Sequence, residues 1–173
     1  MRSARVDYVT TTARMSNHLR IYMNDQLAAG ILWRELAWRA QRNNEGSELG
    51  EALARVAAIT TEDVETFGAM MKRLRLRRNP AKVGATIAAE RIGRLKLNGH
   101  LRTYSPLSRF VELDTLLIGI VGKKILWKNL GDFAGLRTRL PDVDFDELLD
   151  RAQTQIDLLE PFHEAAAREA LRT

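Results

Sequence analysis

Residues 72–109 constrain the fold more than any other stretch, because they separate two pairs of long helical patterns. The stretch carries eleven Lys and Arg residues against a single acid, Glu90, so it is +10 in a chain of net charge +5. Two breakers, Asn79-Pro80 and Asn98-Gly99, divide it into short pieces. The chain therefore reads as two helical hairpins joined by one long, basic connection.

In the first pair, residues 1–12 are expected to form a tail, with the Thr10-Thr11-Thr12 run offering a helix cap. A helix over 13–44 follows. At 100° per residue, Leu19, Tyr22, Met23, Gln26, Ala29, Gly30, Trp33, Ala37 and Ala40 share one face. A thinner stripe of Leu27, Ile31 and Trp38 suits another element or a second subunit. A turn with Gly46 and the cap Ser47 leads to a helix over 48–77, facing inward with Leu49, Leu53, Val56, Thr60, Asp63, Phe67, Met71 and Leu74. Inside the connection, 81–97 is expected to be a short helix. Its small side holds Gly84, Ala85, Ala88 and Ile92, and its basic side Lys82, Arg91, Arg94 and Lys96.

The second pair opens at Ser105-Pro106, a cap followed by proline at the first helical position. This third long helix, to Leu130, is apolar nearly all round and is expected to be the most buried. Its best apolar face is Leu107, Phe110, Asp114, Leu117, Ile118, Val121 and Ile125. Residues 131–143 read as a loop. Asp144 with Glu147 makes a capping-box pattern for the fourth helix, whose face is Leu148, Leu149, Ala152, Ile156, Leu159, His163, Ala166 and Ala170. Pro161 is expected to kink it.

Composition excludes several functions. There is no cysteine, hence no disulfide, thiolate metal site or Cys nucleophile. The longest apolar run, 116–122, is far short of a membrane span. No signal peptide is evident at the N-terminus, and the expected location is cytoplasmic. No Gly-rich phosphate loop, nucleophile elbow or paired-histidine metal motif is complete.

Polar residues on the inward faces are the candidate site: Gln26, Thr60, Asp63, Asp114, Glu160 and His163. Counted from the hairpin loops, Gln26 and Asp63 fall at one height, and Asp114 and Glu160 at another common height. The two-hairpin plan with a crossover, together with Glu160-x-x-His163, resembles the ferritin-like superfamily. The resemblance spans about residues 13–172 and implies an all-α four-helix bundle. In di-metal members, two helices each give a Glu and the others each give Glu-x-x-His. Here Thr60-x-x-Asp63 stands where one such motif belongs, so a full dinuclear set is absent. What the resemblance implies at most is a mononuclear Fe, Mn or Zn site of Asp63, Asp114, Glu160 and His163, with Gln26 and Thr60 beside it. The leading expectation is a binding or structural bundle in which these residues form a hydrogen-bonded polar cluster that fixes helix register. The first alternative is a metal-dependent oxidoreductase. The second is binding of nucleic acid or another polyanion through Arg73, Arg75, Arg77, Arg78, Lys82, Arg91, Arg94, Lys96 and Arg102, although no nucleic-acid motif accompanies them. Balancing that basic face, the fourth helix offers Asp142, Asp144, Asp146, Glu147 and Asp150, in the same molecule or in an oligomer partner.

Overall fold

The computed structural model describes residues 3–79 and 104–172, with side chains from Asn17 onward. The described residues are all-α. Helix α1 spans Ser3–Asn43, α2 Glu48–Arg73 and α3 Pro106–Lys128, which runs into a π-helical turn at Asn129–Phe133. A single helical turn, α4, spans Leu136–Arg139, and α5 spans Phe145–Ala170. The expected short helix over 81–97 lies outside the described residues.

α1 begins ten residues before the expected start. No glycine or proline stands between Ser3 and Gly30, and a threonine run lowers helix propensity by only tenths of a kcal/mol per residue. Ser47 caps α2 by accepting from the Gly50 amide, Ser105 caps α3 by accepting from Ser108, and Asp144 caps α5 by accepting from Asp146 and Glu147. α5 continues through Pro161.

α2 stops four residues earlier than expected. Arg75 has a left-handed backbone, φ 55°. The Leu76 amide donates to Met71 and the Arg75 amide to Lys72, the two bonds of a Schellman ending. Leu76 packs against the core beyond. The chain leaving α2 is then clamped by buried Asn24 of α1. Its side chain donates to the Arg77 carbonyl at 3.1 Å and accepts from the Asn79 amide at 2.6 Å.

α1 packs on α2 and α3 on α5, and the two hairpins meet through α1 on α3 and α2 on α5. Two apolar clusters fill the bundle. One, near the α1–α2 turn, includes Ala37, Leu53, Val56, Leu113, Leu116, Ile120 and Leu159. The other includes Met23, Phe67, Met71, Trp127, Leu130 and Phe145. The 131–143 segment is part of that second cluster and is not merely a loop, because Leu136 and Leu140 are buried in it.

Much of the expected inward face of α3 turns outward, although Phe110 and Leu117 pack at the edge of the core. Ile118, Val121 and Ile125 are exposed, whereas Leu113, Leu116, Ile120 and Trp127 are buried. At 100° per residue, Ile118 and Trp127 lie about 180° apart. A helix apolar all round offers no periodicity to choose its face. Gly119 helps to choose it here, since Trp33 of α1 lies so close that a Cβ at 119 would meet its ring at 2.6 Å.

Candidate functional site: a buried ion cluster under an apolar cavity

Turning α3 over carries Lys123 inward. On α2 and α3 the polar positions fall between the two apolar clusters, and α5 adds Arg151 and Gln155. The carboxylate of Asp63, 3% exposed, accepts from the Lys123 ammonium at 2.6 Å and lies 3.1 Å from the Arg151 guanidinium. Lys123 also donates to the Gln155 side-chain oxygen. Gln155, fully buried, donates from its other end to the Val56 carbonyl at 3.0 Å and the Thr60 hydroxyl at 3.1 Å. Arg151 reaches outward to Glu62 at 2.9 Å. The one deeply buried carboxylate, Asp63, is thus met by two cations, as burial of charge requires. Burial pushes the Lys123 ammonium below the usual lysine value, against the opposite pull of Asp63.

Above this cluster, a cavity of about 360 Å³ opens between α1, α2 and α3. Its walls are mostly apolar: Leu27, Ala29 and Trp33 from α1, Val64 and Phe67 from α2, and Ile118, Gly122, Ile125 and Trp127 from α3. Asp63, Lys123, Thr60, Tyr22 and Gln26 supply its polar points. It is open to solvent along the α1–α3 side, where Ile118 and Ile125 are exposed.

The four residues of the implied metal set divide between two places. Asp63 belongs to the ion cluster. Asp114 and His163 meet on the far side of α3, Oδ1 to Nε2 at 3.1 Å, with the Phe110 ring 5.3 Å from the imidazole. Glu160 and Glu164 line the same shallow groove. Nine residues separate Asp114 from Lys123, about 13 Å of helix rise, so the groove and the cluster are at different heights as well as on different faces. Gln26 and Asp63 line one cavity, and Asp114 and Glu160 line one groove. Among the described residues, no group of three His, Cys, Asp or Glu side chains is arranged to hold a metal ion.

Lys123, Arg151, Gln155 and Asn24 were not foreseen from the sequence. Lys123 sits in an apolar helix about two and a half turns from Asp114, the candidate expected to face inward, and its direction depends on which face of α3 is buried. Gln155 and Arg151 flank the predicted stripe on α5 and become central once Lys123 faces them.

Of the candidate polyanion residues, Arg73 is held in a two-pronged contact with Asp142, which draws the Asp142 carboxyl below its usual value. Arg78 lies against α2, its guanidinium over Gly68. Arg75 and Arg77 are exposed. Lys82, Arg91, Arg94, Lys96 and Arg102 lie outside the described residues.

No helix among the described residues is long and apolar enough to cross a membrane. Compared with known proteins, the chain matches no protein-family model, no curated protein and no solved structure.

Proposed function

We propose that this protein is a binding bundle of ferritin-like plan, in which an ion cluster occupies the position where a metal centre is expected, and that its cavity takes a small, mainly apolar molecule. The observation that carries this reading is the cavity itself, with the Asp63–Lys123 ion pair at its floor and Arg151 behind Asp63. An apolar pocket of a few hundred Å³ with a few convergent polar groups is the usual form of a ligand site. Its volume is somewhat over twice that of an apolar cavity of about 150 Å³ that takes benzene. It therefore suits a ligand of roughly a dozen non-hydrogen atoms. Because the carboxylate and the ammonium that line the cavity already pair with each other, an added charge beside them has no counterion, so the ligand's polar end is neutral. The Gln26 amide at the wall offers both a donor and an acceptor for it.

Trp33 and Trp127 line the cavity, so tryptophan fluorescence reports its occupancy. Titration with decan-1-ol, decanoate and decylamine tests the reading. Saturable change with decanol, and weaker change with both charged analogues, is the expected order. No saturable change with any of the three rejects it.

The alternative, a metal-dependent bundle, has one favourable observation, the Asp114–His163 contact beside Glu160 and Glu164. Fe, Mn or Zn copurifying with untagged protein and lost in His163→Ala supports that alternative; unchanged metal content in the variant removes it.

A further inference from the structure

Five large apolar side chains stand exposed on one helix. Leu107, Val111, Ile118, Val121 and Ile125 of α3 are each close to half exposed or more, Ile118 reaching 62%. Projected at 100° per residue they lie within about 80° of one another, forming a stripe some 27 Å long. An apolar stripe of this length on a water-facing helix marks an interaction surface.

The spacing of the stripe fits a second copy of itself. Laid antiparallel about Ile118, Val111 of one copy falls opposite Ile125 of the other, and Ile118 meets Ile118. Asp114 then falls opposite Gly122, where nothing lies within 4 Å of a Cβ position and room remains. Charge favours the same register. Asp114 contacts His163 and Lys124 contacts Gln153, which puts Glu164 level with residue 113 of α3. The antiparallel register brings that level to residue 123 of the other copy, beside Lys124. By the same count, Glu169, held near Arg109, comes level with Lys128. A parallel register would set the glutamates against glutamates and the lysines against lysines.

We infer that the outward face of α3 is a two-fold, antiparallel interface between two copies of this chain. The interface is isologous, so each pair of positions occurs twice. It also lies along the open edge of the cavity, since Ile118, Gly122 and Ile125 belong to both.

Sedimentation velocity from low to high micromolar protein, on the full chain, tests this. The wild type is expected to dimerise. Val111→Glu and Ile125→Lys are each expected to be monomeric, with far-UV circular dichroism unchanged because neither side chain packs within the subunit's core. Mixing the two variants is expected to restore a dimer, because the carboxylate introduced at position 111 of one then faces the ammonium introduced at position 125 of the other. A monomeric wild type at every concentration overturns the inference. So does a dimer that both single variants retain, and so does failure of the mixed variants to associate.

Discussion

Asp63, itself 3% exposed, is held between two cations. Removing its charge leaves Lys123 and Arg151 without their inward partner, and breaking a buried pair in this way costs about 3–5 kcal/mol. Asp63→Asn is therefore expected to lower the urea-unfolding free energy by about 3 kcal/mol. Lys123→Met removes the bonds to both Asp63 and Gln155 but leaves Asp63 the Arg151 guanidinium 3.1 Å away, so it costs somewhat less, about 2 kcal/mol. Equal losses for the two variants would mean that Arg151 contributes little. Tyr104 gives a second residue-level test. Burial, with Glu112 adding to it, pushes its phenol up to about 12 from 10.0, despite the hydrogen bond donated by Asn44. The fold thus favours the neutral phenol. The resulting stability is present below pH 10 and is lost as pH rises from 10 toward 12. A near-ultraviolet absorbance titration of wild type against Tyr104→Phe is expected to assign the tyrosine that ionises near pH 12 to Tyr104.

At the scale of elements, the end of α2 shows what its sequence conceals. Arginine is a poor residue for a left-handed position, which costs an L side chain about 1–2 kcal/mol. Arg75→Gly is expected to stabilise the protein by about 1 kcal/mol, read as an increase in urea midpoint with unchanged slope. Four long helices, their caps at Ser47, Ser105 and Asp144, and the inward face of α2 were legible in the sequence, because capping chemistry and a 3.6-residue period are local. α3 was not. Its leucines, isoleucines and valines surround the helix, and the choice of face rests on a distant contact, Trp33 over Gly119. That one rotation separates Asp114 from Asp63 and exchanges a carboxylate for an ammonium in the core. The ending of α2 escaped for a related reason, since the Asn24 clamp that receives residues 77–79 joins positions more than fifty residues apart.

For the whole molecule, two apolar clusters meet at a polar layer, and the cavity opens where that layer reaches the α1–α3 side. This arrangement makes the cavity separable from the fold. Gly122 lines it, yet a Cβ there meets no atom within 4 Å. Within one subunit a large side chain at 122 can thus fill the opening, while replacing glycine in a helix is itself favourable; because Asp114 of a second copy would use the same room, binding is compared at protein concentrations where both proteins sediment as monomers. The most direct measurement is calorimetric titration of decan-1-ol into wild type and into Gly122→Phe. Saturable one-site binding to the wild type, lost in a variant whose melting temperature is equal or higher, is the predicted result. Equal binding by both proteins, or none by the wild type, would contradict a ligand site above the ion cluster.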